Sequence, residues 1–234
     1  MIPKILHLNW FGKKPFPAVY QKILDRWLLL TAETEWEIFV WTDKTPVFFD
    51  LRSLMWANGG EPVQVSDVMR FGALYLYGGV YLDFDIIPLR LPEFENDECF
   101  NLFYEVDGDH NTVPSCATMA SPKADEHARY LFWWCLQQIN FNPKTREERY
   151  KAGNGMFQFI DPRWFDGIEK RGVNHYAPVN WAQARVLNIA YRYTYDDWLK
   201  LAETFLVHPQ VYGVHTYDSS WVYHLNSKME QSFT

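Results

Sequence analysis

Ser66-Asp67-Val68-Met69-Arg70-Phe71-Gly72-Ala73-Leu74-Tyr75-Leu76-Tyr77-Gly78-Gly79-Val80-Tyr81-Leu82-Asp83-Phe84-Asp85 is the stretch that decides how this chain is read. Val68, Phe71, Leu74/Tyr75 and Tyr77 recur at helical spacing, so a helix is predicted from Val65. Gly78-Gly79 supplies the left-handed residues on which helices commonly end, and Val80-Tyr81-Leu82 follows as a short buried strand. Asp83 and Asp85 then stand two apart. In an extended segment they point to the same side, which suits a divalent cation bridging protein and a diphosphate. Ile86-Ile87-Pro88-Leu89 resumes the apolar run at once. Carboxylates inside such a run lose hydration unless they face a cleft or bind a cation. A second Asp-x-Asp, Asp107-Gly108-Asp109, lies among turn formers and reads as a solvated loop. Asp67 and Arg70, three apart, share a helix face; taken alone they read as an exposed ion pair.

Upstream, Ile2 to Trp10 alternates apolar and polar residues as a first strand and stops at Phe11-Gly12 and the Pro15/Pro17 pair. A helix is predicted from Pro17 to about Thr31 on Tyr20, Ile23, Leu24, Trp27 and Leu28, and a second strand from Trp36 to Trp41. Strand, helix, strand opens an α/β sheet. Downstream, Phe100–Val106 reads as a strand, Ala124–Ile139 as a helix, Asp161–Lys170 as a shorter helix and Trp181–Leu201 as mostly helical. Val211–His215 reads as a late strand. No internal repeat and no Ser/Gly-rich linker divides the chain, so one domain is expected.

Composition narrows the partners. Of 234 residues, 22 are Lys or Arg against 29 Asp or Glu, a net charge of -7 that disfavours nucleic acid and anionic membrane. Cys99, Cys116 and Cys135 form no CxxC pair, so buried reduced thiols are expected rather than zinc ligands. No apolar run approaches a membrane span, no secretory leader is legible and no Asn-x-Ser/Thr sequon occurs, which together suggest a cytoplasmic protein.

The segment from Ser66 to Asp85 resembles the DXD sugar-binding region of a glycosyltransferase family. That family includes fungal initiating α-mannosyltransferases, capsular polysaccharide transferases and, distantly, large clostridial glucosylating toxins. Its pattern is Asp-x-x-Arg, a Leu- and Tyr-rich helix, then Gly-Gly-x-Tyr-x-Asp-x-Asp, and Asp67, Arg70, Gly78, Gly79, Tyr81, Asp83 and Asp85 match it. Ile2–His7 with Trp10, Gly12 and Pro15 is similar to the family's first strand, Trp41-Thr42-Asp43 to the end of its second, and His215–Trp221 to its closing His-x(4)-Ser-Trp element.

The resemblance implies a GT-A type single α/β domain with a Rossmann-like mixed sheet flanked by helices. It further implies a nucleotide-sugar donor with UDP favoured and GDP possible, Mn²⁺ or Mg²⁺, and transfer with retention to a glycan or lipid-linked glycan. Residues 1–90 would form the nucleotide-sugar half, 91–210 the acceptor side and 211–234 the closing segment. Asp85, Asp83 and His215 would hold the metal; Asp67 and Arg70 would hold donor sugar hydroxyls or phosphate. Trp10 would line the base pocket, Asn154 would lie near the donor sugar, and Ser220 and Trp221 would close over the diphosphate. Each has a plainer reading: Trp10 and Trp221 as core, His215 as a satisfied structural histidine, Gly78-Gly79 as a helix stop. Same-face attack is favoured because no acid in the unmatched middle stands out as a nucleophile. Two rivals stand: an Asp-nucleophile phosphohydrolase, disfavoured because its pair usually follows the first strand, and a non-catalytic glycan-binding homologue of a glycosyltransferase.

Overall fold

β1 (Ile5–Trp10) runs between β2 (Glu37–Thr42) and β3 (Gly79–Leu82), parallel to both. A central parallel strand is covered on both faces, so the polar members of its alternation, His7 and Asn9, are buried along with Leu6 and Leu8. The computed structural model describes residues 1–59, 61–94, 96–106, 111–139, 156–172, 175–176, 178–179, 183–184 and 193–217.

α1 (Ala18–Thr31) returns the chain from β1 to β2, with Pro17 as its N-cap. α2 (Phe49–Ala57) and α3 (Pro62–Tyr77) lead into β3, and β4 (Ile86–Pro88) follows it. β5 (Asn101–Val106) and β6 (Thr112–Ser121) pair antiparallel, and β6 also runs antiparallel to β3. α4 (Glu126–Gln138) starts at Asp125, whose side chain accepts from the amides of His127 and Ala128. β7 (Glu169–Arg171) lies parallel to β5, α5 is Tyr195–Glu203, and β8 (Gly213–His215) pairs antiparallel with β4. The main sheet thus has the order β2-β1-β3-β6-β5-β7, a mixed sheet with a core on each face. Trp41, Tyr81, Leu102 and Met119 point to α3 and α4; Leu6, Leu8, Val80 and Phe103 point to α1, α5 and the β4/β8 pair. None of the described helices is long and apolar enough to cross a membrane.

The mixed α/β sheet flanked by helices is the architecture expected from the sequence. Several details differ. α2 is entered through Phe48 at φ +57 with no side-chain cap, so Asp50 in its first turn is a lone start signal. β6, a ten-residue strand, went unread because Pro114 and a run of Ser, Ala and Thr look like a loop. The predicted helix Asp161–Lys170 is one 3₁₀ turn, Pro162–Phe165, capped by Asp161, after which Glu169–Arg171 is drawn into the sheet by β5. Of the predicted helix Trp181–Leu201, the described helical part with sheet contacts begins at Tyr195; 181–182 and 185–192 lie outside the described residues.

The two glycines after α3 do more than stop it. Gly78 has φ +68 and a Cβ there would stand 2.6 Å from the Lys123 amide; Gly79 has φ +95 and a Cβ there would stand 2.6 Å from the Ile5 carbonyl. Only glycine lets β3 enter between β1 and β6. His7 seals that junction: the Trp41 indole donates to its Nδ1 at 3.1 Å, which leaves Nε2–H to donate to the Gly78 carbonyl at 2.6 Å. The ring is therefore neutral, and burial lowers its pKa to about 4.

Because that folded value lies below the unfolded 6.5, the unfolded chain takes up the proton first. The His7 contribution is complete above pH 6.5 and is lost as pH falls towards 4, by up to about 3 kcal/mol. Urea melts across that window should show a steeper loss for the native protein than for His7→Leu; parallel slopes would contradict the neutral buried ring.

Candidate active site

Asp83, Phe84 and Asp85 leave the C-terminal end of β3 as a turn. The Asp83 amide donates to the Ala117 carbonyl at 2.9 Å, and the Ile86 amide donates back to the Asp83 carbonyl at 3.3 Å. The extended segment expected from the spacing is corrected here: the chain must bend to pass from the main sheet into β4. Phe84 is the anchor of the bend. Its buried ring lies 5.0 Å from Phe16 and stacks on Tyr20 at 5.8 Å, and Trp10 meets both of those rings at 5.5 Å. With Phe84 turned into the core, the two flanking carboxylates face the other way, towards β8.

β8 brings the third group. In the β4/β8 ladder Ile86 is paired with His215, and both the amide and the hydroxyl of Thr216 donate to the Asp85 carbonyl, at 2.9 and 3.0 Å. His215 Nε2 thereby comes to 3.2 Å from Asp85 Oδ1, while Nδ1 on the other side of the ring is 3.7 Å from Glu105 Oε2 of β5. Tyr217 stacks on the imidazole at 3.9 Å. Burial alone would lower the His215 pKa, but the carboxylates of Asp85 and Glu105 outweigh it and push it up to about 10.

Behind the turn sits Arg70. Its guanidinium donates to the Cys116 carbonyl at 2.6 Å and to Asp67 at 2.8 Å, lies 3.4 Å from Asp83, and covers the Tyr81 ring at 4.8 Å. Its side chain is 5% exposed, so the exposed ion pair is replaced by a buried one. Burial raises Asp67 to about 7 against the opposing pull of Arg70. Asp83 is raised as well, by burial first and with Asp85 adding to it. The Tyr81 hydroxyl donates to Asp83 at 2.6 Å, and Asn9 at the end of β1 donates to the Ser66 carbonyl at 3.1 Å and to its hydroxyl at 3.3 Å. α3, through Arg70, and β3, through Tyr81, thus converge on the Asp83 carboxylate.

Asp83, Asp85 and His215 each offer a ligand atom, and these atoms all lie within 4.8 Å of one another. Donors about 2.1 Å from a six-coordinate cation are separated by about 3 to 4.2 Å, so the group fits a divalent ion with a small closure. Two carboxylate oxygens and one imidazole nitrogen are ligands that a divalent cation accepts. Asp83, Asp85 and Glu105 outnumber the fixed positive charge of Arg70, which also favours a cation there.

Of the residues singled out in the sequence, Asp67, Arg70, Asp83, Asp85 and His215 are gathered here. Trp10 is half-buried, with its indole donating to the Lys14 carbonyl at 3.3 Å beside the rings that anchor Phe84. Asn154, Ser220 and Trp221, and the second pair Asp107/Asp109, lie outside the described residues. Glu105 was not foreseen: an acid at the end of a strand reads as solvated, and only the fold places it against His215.

Residues 17–100 match the family model of the glycosyltransferase sugar-binding region containing the DXD motif. The matched DXD region ends beyond the turn and includes Asp67, Arg70, Tyr81, Asp83 and Asp85. Among solved structures, the chain is similar to the PaToxG glycosyltransferase at 16% identity and TM-score 0.46, over 68% of this chain and 70% of that one. It is also similar to a glycosyltransferase involved in glycosylation of the major capsid of PBCV-1, at 11% identity and TM-score 0.48, over 93% of this chain and 95% of that one. No curated protein sequence matches it.

Removing the buried guanidinium strands two partly buried carboxylates, Asp67 and Asp83. Arg70→Ala should cost about 3–5 kcal/mol in chemical denaturation, whereas Arg129→Ala, which removes an exposed partner of Glu126, should leave the denaturation midpoint nearly unchanged. Equal costs would contradict the buried junction.

Proposed function

We propose that this protein is a metal-dependent glycosyltransferase that moves a sugar from a nucleotide-sugar, UDP-linked by preference and GDP-linked as the alternative, to a hydroxyl of a glycan or lipid-linked glycan. The observation that carries the reading is the meeting of Asp83, Asp85 and His215 at the end of β3, in front of the Asp67–Arg70 pair. In this reading residues 1–90 hold the donor, 91–210 face the acceptor and 211–234 close the site, all in one domain acting in the cytoplasm.

A divalent cation held by Asp83, Asp85 and His215 supplies charge neutralisation for the leaving diphosphate. The chain's own residues do the rest. Arg70 spends its terminal nitrogens on Cys116, Asp67 and Asp83, so its part is to fix the direction of both carboxylates. The Tyr81 hydroxyl holds Asp83 from a second side. Asp67, kept partly protonated by burial, can donate to or accept from a sugar hydroxyl. Trp10 offers an aromatic edge for a base, and Asn154, Ser220 and Trp221 are assigned to the donor. Retention by same-face attack needs no enzyme nucleophile.

The test is a panel of UDP- and GDP-sugars with Mn²⁺ and with chelator, read by melting temperature and by release of free sugar. The expected result is metal-dependent stabilisation by one donor with slow hydrolysis, and a loss of at least about 100-fold in turnover for Asp85→Ala with the fold intact. Donor binding without turnover would move the protein to the glycan-binding homologues. No binding with or without metal would overturn the proposal.

A further inference from the structure

We propose that Glu105 is a positioning residue that holds His215 through its Nδ1–H, so that Nε2 is the nitrogen presented to the cation. The inference rests on the reading of Asp83, Asp85 and His215 as a cation site. An imidazole that ligates through Nε2 carries its proton on Nδ1, and a buried N–H needs an acceptor. Glu105 Oε2 stands 3.7 Å from Nδ1, on the side of the ring away from Asp85. A closure of under about 1 Å makes that contact a hydrogen bond.

Three further observations converge on the same role. Glu105 Oε2 is buried and has no hydrogen-bond partner among the described residues, an acceptor that is costly to leave alone. The Glu105 side chain is 24% exposed, and the small cavity it borders is shared with Ser115, Thr118, Tyr176 and His215, so the carboxylate is turned inward rather than into solvent. The ring is already fixed in its plane: Tyr217 stacks on it at 3.9 Å, held at φ +52, a backbone state that a bulky residue adopts only when its surroundings impose it. Stacking fixes the plane but leaves open the half-turn about Cβ–Cγ that exchanges the two edges of the ring. Asp85 at one nitrogen and Glu105 at the other fix that rotation. Glu105 comes from β5, so the ligand set is braced by a strand that none of the three ligands belongs to.

The experiment is titration of the full chain with Mn²⁺ alone, by calorimetry and by electron paramagnetic resonance, for the native protein, Glu105→Ala, Glu105→Gln, His215→Ala and the double variant Glu105→Ala/His215→Ala. Glu105→Ala should weaken Mn²⁺ binding about 10- to 100-fold. Glu105→Gln, whose amide oxygen still accepts from Nδ1–H, should recover most of that loss. In the His215→Ala background, adding Glu105→Ala should change affinity less than about threefold, because the positioned group is gone. Equal losses in both backgrounds would overturn the inference in favour of a direct ligand or a folding effect, and unchanged affinity in Glu105→Ala would overturn it outright. Where Glu105→Ala does not fold, Glu105→Leu keeps the volume, removes the acceptor and carries the same expectation. A native protein that takes up no Mn²⁺ would bring down the cation site itself, and this inference with it.

Discussion

One buried cation, the guanidinium of Arg70, holds the centre of this molecule together. It reaches from α3 to the Cys116 carbonyl of β6 and to Asp83 at the end of β3, and it binds Asp67 one helical turn back. Isolated, any of these groups would be costly to bury. Packed on the Tyr81 ring and sharing their charge, they form a rigid floor from which Asp83 can project. The glycines at 78 and 79 serve the same end: they let β3 lie close against β1 and β6.

The rest of the site depends on pairing across a long stretch of chain. Thr216 binds the Asp85 carbonyl across 131 residues, and the three-residue β4/β8 ladder is what puts His215 beside Asp85. Two histidines show how far surroundings decide chemistry. His7, with a carbonyl and an indole for partners, is neutral and held low; His215, with a carboxylate near each nitrogen, is pushed the other way. A divalent ion would take the place of that extra positive charge.

Much of this was legible in the sequence and some was not, for physical reasons. The helix–Gly-Gly–strand order ahead of Asp83 could be read because periodicity and glycine punctuation are local signals, and the helix, its glycine stop and the strand are found in that order. The bend at Phe84 could not, because its cause is a ring docking on Phe16 and Tyr20 from another element. β6 hid behind Pro114 and small residues whose strand character comes from flanking β3 and β5 rather than from propensity. Glu169–Arg171 became a strand for the same reason. Of the candidate site, the two aspartates could be read from their place after an apolar strand and the Asp-x-x-Arg pair only through the family resemblance, since spacing alone reads it as an exposed ion pair; the nearness of Glu105 to His215 is a product of the fold alone.

The central claim is that Asp83, Asp85 and His215 act as one cation site. It is tested most directly by anomalous X-ray scattering from crystals grown with Mn²⁺. The account predicts a single strong peak about 2.1 Å from a carboxylate oxygen of Asp85 and from Nε2 of His215, with Asp83 bound directly or through one water. A peak elsewhere on the chain, or none at saturating Mn²⁺, would contradict it.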